Sequence, residues 1–206
     1  MEKEVNINII TLGDQYVGKT SIINRIKYKA FQENLSNTVG IKLLVIKRKY
    51  EKKNIMFTLN LMDSNCNQNN EKSLPIQYIR DSHIVLLVFC NIETLNSLKD
   101  RWYTFYKENA DVENSRFILV GNKSDIFGNE KDEIIRQGDK FAEEINAHFI
   151  TCSAKSADNM DNLERYIISE SKRFIDEAEE IIREMNNNKK LNLEKKNINK
   201  KNDCNC

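Results

Sequence analysis

Two hydrophobic periods alternate along the chain. Val5 to Leu12 (VNINIITL) is a short, β-branched run that stops at Gly13, the pattern of a buried strand feeding a glycine loop. In Ser21 to Tyr28, Ile22, Ile23 and Ile26 then recur at helical spacing. Ile41 to Tyr50 and Asn54 to Met62 read as two strands around the polar corner Glu51-Lys52-Lys53, a hairpin by its length. His83 to Cys90 (HIVLLVFC) and Arg116 to Gly121 (RFILVG) are nearly continuous apolar runs, as central parallel strands covered on both faces require, and a helical pattern follows each. A last strand, HFITC, begins at His148. It precedes a long helix in which Met160, Leu163, Ile167, Phe174, Ala178, Ile181 and Met185 return every three or four residues. Alternating strands and helices predict an α/β fold: a mixed, mostly parallel six-stranded sheet with helices on both faces and ligands at the carboxyl ends of its strands.

After Met185 the periodicity dissolves into Asn and Lys. Residues 1–185 are therefore expected to form one domain and residues 186–206 a flexible tail. Charge sharpens that division. The whole chain of 206 residues carries 32 Lys and Arg against 31 Asp and Glu, a formal net charge of +1 that draws it to no nucleic acid. The tail, however, holds six lysines (189, 190, 195, 196, 200 and 201) against Glu194 and Asp203, which points to an anionic surface as its partner. No apolar run approaches the ~20 residues of a membrane span, and MEKEVNIN lacks the features of a signal peptide, so the chain is expected to remain on the cytosolic side. Five cysteines (66, 90, 152, 204 and 206) have neither the density nor the spacing of a disulfide scaffold or a zinc site.

The chemistry begins at Gly13-Asp14-Gln15-Tyr16-Val17-Gly18-Lys19-Thr20. The octapeptide fits G-x-x-x-x-G-K-[ST] and lies between the first strand and the first helix, with Ser21 opening that helix. Such a loop turns successive backbone N–H groups inward around phosphates, Lys19 adds a charge at the terminal phosphates, and the Thr20 hydroxyl meets Mg²⁺. The expected architecture is thus a P-loop NTPase fold. Asn122-Lys123-Ser124-Asp125 follows the strand RFILVG and selects the base. An ionised carboxylate accepts two hydrogen bonds from guanine's ring N–H and exocyclic amine, a donor pair that adenine lacks, so Asp125 is the expected guanine reader. The stem of Lys123 can lie along the base, and Asn122 can tie this loop to the phosphate loop. Ser153-Ala154-Lys155, after the last strand, would bring a backbone N–H to the guanine oxygen.

In this order, these motifs resemble those of a Ras-superfamily small GTPase, and among those a Rab, from about Val5 to Ile182 and again in the tail. Tyr78-Ile79-Arg80-Asp81-Ser82 and Gln15 resemble the Golgi-associated Rab subgroup. Cys204-Asn205-Cys206 has the Cys-x-Cys form that Rabs use for double geranylgeranylation; two lipid chains anchor stably where one is marginal. The resemblance implies GTP and GDP as ligands, Mg²⁺ as cofactor, and Thr38 closing on the metal only when the γ-phosphate is present. It also implies that Asp63 holds the metal through water. The partners it implies are effectors, an exchange factor, a GTPase-activating protein, a prenylation escort and a GDP-dissociation inhibitor. The place it implies is the cytoplasmic face of endomembranes, the Golgi by the subgroup it resembles, in exchange with the cytosol.

The second switch departs from the family. Where Rabs read Asp-Thr-Ala-Gly-Gln-Glu, this chain has Asp63-Ser64-Asn65-Cys66-Asn67-Gln68. Cys66 replaces a glycine whose N–H meets the γ-phosphate, and Asn67 replaces the water-positioning glutamine with a side chain one methylene shorter. Weak intrinsic hydrolysis is expected, with Lys19, Cys66 and Asn67 the residues at issue. The alternative is a non-hydrolysing, membrane-bound adaptor; a P-loop phosphotransferase is a third reading, which Asp125 disfavours. Tyr16 either crowds an activating partner or points to solvent. Cys66 is either a redox-sensitive thiol or an inert one. At the effector surface the family's aromatic triad is reduced to Leu43, Met62 and Tyr78, and Lys42 reverses a local charge. His83 and His148, which open buried strands, are expected to be structural, and Trp102 to be a packing residue.

Overall fold

The computed structural model describes residues 5–33, 41–64 and 75–202, with side chains as far as residue 185. Thr38, Cys66, Asn67, Cys204 and Cys206 lie outside the described residues. The elements follow in the order β1 (Val5–Leu12), α1 (Lys19–Tyr28), β2 (Ile41–Tyr50), β3 (Ile55–Ser64), α2 (Ile76–Arg80), β4 (Ile84–Phe89) and α3 (Ile92–Ser97). A π-helical segment, Leu98–Tyr103, joins α3 to α4 (Thr104–Asn109), and then come β5 (Arg116–Gly121), α5 (Lys131–Glu144), β6 (His148–Thr151) and α6 (Met160–Asn202). By contact density the chain divides into two units, Met1–Glu170 and Ser171–Cys206.

The six strands form one sheet in the order β2-β3-β1-β4-β5-β6. β1 pairs in parallel with both β3 and β4, β4 with β5, and β5 with β6; only β2 runs against its neighbour. The polar corner between β2 and β3 is a short 3₁₀ turn at Glu51–Lys53, closed by Asn54 at φ 50°, a left-handed conformation that Asn tolerates better than most residues. Five strands therefore end at the same edge of the sheet.

β4 is buried at every position, as its unbroken apolar run requires. Side chains alternate across a strand, so Ile10 and Leu12, Val85, Leu87 and Phe89, and Phe117 and Leu119 share one face. There they form a core with Leu95, Leu98 and Trp102 of the π-interrupted helix, Tyr106 of α4, and Ile134 and Phe141 of α5. On α1, the periodic Ile22, Ile23 and Ile26 are buried, and that helix packs on β2 and β3. In α6, Met160, Leu163 and Ile167 are buried as their spacing predicts, whereas Ile181 and Met185 at the far end of the same stripe are more than half exposed.

The tail that the sequence reading begins at residue 186 continues the backbone of α6 as far as Asn202. From Met160 to Asn202 there is no Gly or Pro to stop a helix, and the Lys, Glu and Leu of residues 189–201 favour it. Among the described residues, no helix is long and apolar enough to cross a membrane.

His83 is structural, as expected. Its ring Nδ1 accepts the Asn8 backbone N–H (2.9 Å), and its backbone N–H donates to the Asn8 carbonyl (2.8 Å), so residue 83 extends the β1–β4 pairing before the start of β4. The ring must be neutral to accept that bond. Burial holds its pKa below the ordinary value, outweighing the Asn8 contact and the charge of Asp81. His148, by contrast, stacks on Tyr166 with ring centroids 3.8 Å apart. Because folded His83 resists protonation, the unfolded chain binds more protons as pH falls through about 6.5, and stability is lost in that direction. Thermal denaturation from pH 7.5 to 5.5 is expected to show a falling midpoint in the wild type and a shallower fall in His83→Gln, whose amide oxygen can still accept the Asn8 N–H.

Candidate functional site

The carboxyl-terminal edge of the sheet collects the motif residues around one cavity of about 400 Å³. Gln15, Tyr16, Gly18, Lys19, Thr20 and Ser21 line one side of it; Asn122, Lys123 and Asp125 line another, with Ala154 and Lys155 beside them. Gly13, Asp14 and Val17 stand behind that surface and are buried.

The phosphate loop owes its course to two glycines. Gly13 has φ 143°, and a Cβ there would lie 2.1 Å from the Val88 carbonyl oxygen; Gly18 has φ 98°, and its Cβ would lie 2.2 Å from Asn122 Nδ2. Neither position admits a side chain without moving the backbone of β4 or the Asn122 amide. Lys19, only 7% exposed, folds back so that its ammonium donates to the carbonyls of Gly13 (2.9 Å) and Asp14 (2.7 Å). The first turn of α1 begins at left-handed Gly18 with no side-chain cap. A buried ammonium beside an uncapped helix N-terminus is a site for an anion, and phosphate has the right charge and acceptors.

Asn122 joins the base loop to the phosphate loop. Its Nδ2 donates to the Val17 carbonyl (2.8 Å), and its Oδ1 accepts the Ala154 N–H (3.1 Å). Lys123 takes a left-handed φ of 63°, after which the Ser124 N–H donates to the Cys152 carbonyl (3.0 Å). Asp125 is exposed to the cavity, and the Ser153 hydroxyl donates to its Oδ1 (2.6 Å). Ser153 thus orients the carboxylate rather than facing the cavity itself. Burial and the charge of Asp158 push the neighbouring Cys152 thiol up to about 12, so it supplies no thiolate.

Asp63 is fully buried at the end of β3. Next to it the Ser64 hydroxyl donates to the Thr11 carbonyl, and Ser64 lines the cavity. Two hard-oxygen groups stand nearby: Thr20 lines the cavity, and the Asp63 carboxylate is buried next to Ser64, behind the lining. Among the described residues no group of three or more His, Cys, Asp or Glu could cage a metal alone. That set fits Mg²⁺, which takes one or two protein oxygens and completes its shell with phosphates and water.

Sequence reasoning passed over three contributors. Phe31 lines the cavity from the loop after α1 and adds an aromatic side chain to its wall. Arg25 reaches from α1 to the far loop, its Nε donating to the Ala154 carbonyl (2.8 Å) and a terminal nitrogen to the Lys155 carbonyl (2.9 Å). Trp102, expected only to pack, donates its indole N–H to Asp14 (2.8 Å). None of these contacts has a local sequence signal, since each spans from 88 to 130 residues, apart from Phe31, an aromatic shortly after a phosphate-loop helix.

Two outward-facing readings can also be placed. Tyr16 is 71% exposed and sits at φ 66° at the rim of the cavity, a position open both to solvent and to a partner. Leu43 and Tyr78 are exposed, but Met62 is 3% exposed and belongs to the core, so it does not contribute to the surface expected of it. Met62 lies opposite Leu43 in the β2–β3 register, and its carbonyl accepts the Thr11 hydroxyl (3.2 Å).

Residues 8–173 match the family model described as the Ras family, and the chain belongs to that family. If Arg25 braces the base loop as its two carbonyl contacts imply, Arg25→Ala should weaken guanine nucleotide affinity about tenfold, the scale of one lost charge-assisted bond. Gly18→Ala should weaken it further by displacing Asn122. Equilibrium titration with GDP checks both.

Proposed function

We propose that this Ras-family small GTPase works as a Rab-like switch in vesicle traffic, with slow intrinsic hydrolysis of GTP. The observation that carries the nucleotide half of this reading is the convergence of the Lys19 cradle, the Asn122 bridge and the Ser153-oriented Asp125 carboxylate on one cavity. Lys19 and the N-terminus of α1 bind the phosphates and stabilise the charge that grows on them during in-line transfer to water. Asp125 accepts the two guanine N–H groups, while the Ala154 N–H, expected to meet the guanine oxygen, donates to Asn122 Oδ1. Thr20, Thr38 and Asp63 would hold Mg²⁺, which would supply positive charge against the terminal phosphates.

The slow-hydrolysis half rests on sequence. Asn67 stands one methylene short of the family's glutamine, and an error of about 1 Å in placing the attacking water costs about 10²-fold. Cys66 restricts a backbone that glycine leaves free. Rab identity rests on the Cys204-Asn205-Cys206 ending behind its lysines and on Tyr78 to Ser82. In this reading residues 1–185 are the switch and the prenylated tail holds it on the cytoplasmic face of an endomembrane, the Golgi by resemblance, with exchange through the cytosol. Effectors, an exchange factor, an activating protein, an escort and a dissociation inhibitor complete the cycle. The same altered switch supports a second reading, a GTP-locked adaptor that does not hydrolyse.

Single-turnover conversion of GTP to GDP tests the proposal. Wild type is expected to be slow, and Cys66→Gly with Asn67→Gln at least tenfold faster; a wild type as fast as that double variant would overturn it, and a wild type with no conversion at all favours the adaptor. In the same preparation, Asp125→Asn should exchange guanine for xanthine selectivity, because an amide donates where the carboxylate accepted and xanthine carries a carbonyl there.

A further inference from the structure

An acidic residue inside a phosphate-binding loop is an electrostatic liability. Asp14 is the second residue of the loop, one peptide from Gly13 and five residues from Lys19, and its negative charge opposes that of any bound phosphate. The fold turns this carboxylate away from the cavity and toward the helix that follows β4. There one oxygen, Oδ1, accepts the Trp102 indole N–H (2.8 Å) and the Ser97 hydroxyl (2.9 Å), with an Arg101 guanidinium nitrogen 3.9 Å away.

The helix is built for this contact. Leu98–Tyr103 is π-helical between two α-helical stretches, and both Arg101 and Trp102 lie within it. A π segment changes the angular position of each residue in it, and such segments gather at functional sites. Trp102 is fully buried among core side chains, so its indole N–H has one fixed direction. The opposite end of Asp14, its main-chain carbonyl, accepts the Lys19 ammonium at 2.7 Å. One residue therefore connects the outer helix to the cation of the phosphate loop.

We propose that Trp102 is a positioning residue of the nucleotide site: with Ser97 it holds the Asp14 carboxylate away from the phosphates and keeps the Asp14 carbonyl under the Lys19 ammonium. The inference rests on the guanine-nucleotide reading above. Trp102 acts through Asp14 and touches no substrate. Its ring packs, as any core aromatic does; its N–H and the direction given to it by the π segment serve the loop.

One consequence separates this role from packing. Freed from its tie, Asp14 repels bound phosphate, and because the carboxylate is buried that repulsion is little screened by salt. Loss of the tie should therefore speed nucleotide release. If Asp14 is made neutral, the same loss should no longer speed it.

The test uses the full chain loaded with a fluorescent GDP analogue and chased with excess GDP. Trp102→Phe keeps most of the ring and removes the N–H; Ser97→Ala, a smaller change, guards against a Trp102 variant that fails to fold. Release is expected to be about tenfold faster in Trp102→Phe and about threefold faster in Ser97→Ala, on the scale of lost charge-assisted bonds. Trp102→Phe combined with Asp14→Asn should release nucleotide no faster than Asp14→Asn alone, because no charge is left to be freed. Wild-type release rates in folded Trp102→Phe or Ser97→Ala, or an acceleration by Trp102→Phe that persists in the Asp14→Asn background, would overturn the inference while leaving guanine binding intact. Failure of the wild type to bind the GDP analogue would instead overturn the reading beneath it.

Discussion

One asparagine holds three distant stretches of chain in register. Asn122 bonds with its nitrogen to Val17 in the phosphate loop and with its oxygen to Ala154 in the last base loop, while its own backbone N–H donates to the Phe89 carbonyl at the end of β4 (2.8 Å). A buried amide must satisfy both ends, and here each end finds a backbone partner. The phosphate and base subsites are consequently a fixed distance apart. Gly18 is glycine for the same reason, because a methyl group there would occupy the space of the Asn122 nitrogen.

Around that bridge the site is an arrangement of charges made tolerable by their partners. Lys19 is buried but sits on two carbonyls; Asp14 is buried but accepts two hydrogen bonds beside an arginine; Asp125 is open to the cavity and aimed by Ser153. Buried charge is costly unless hydrogen-bonded, so each of these contacts fixes an orientation as well as satisfying a group. Farther out, Glu164 of α6 receives Lys29 and Arg48, which bind the end of α1 and strand β2 to the same helix. Those two cations hold its carboxyl below the ordinary range despite the opposing effect of burial. The frame that carries the loops is thus pinned by ions at its margin and by apolar side chains at its centre.

The sheet and most helices were legible because their signals are local. β4 announces itself by an unbroken apolar run and β5 likewise; α1 by three isoleucines at helical spacing; the hairpin by its polar corner. The phosphate loop was legible because its glycines and lysine occupy fixed offsets within eight residues. Met62 was misjudged at the surface because its place in a motif does not reveal which face of β3 it occupies. Arg25 and Trp102 carried no local mark at all. The extent of α6 past residue 185 escaped a reading based on apolar periodicity, since a helix backbone needs no apolar face, only the absence of breakers.

The sequence by itself determined the succession of strands and helices, the phosphate-loop conformation that Gly13 and Gly18 permit, and the acceptor chemistry of Asp125, all of which depend on neighbours within a few residues. Tertiary structure alone decided that Asp14 turns to Trp102, that Ser153 orients Asp125, that Arg25 braces the base loop and that His83 is a neutral acceptor. Those outcomes depend on which groups five parallel strands deliver to one edge of the sheet. The directions of side chains brought together across 28 to 130 residues follow from packing and from the need to satisfy buried polar groups.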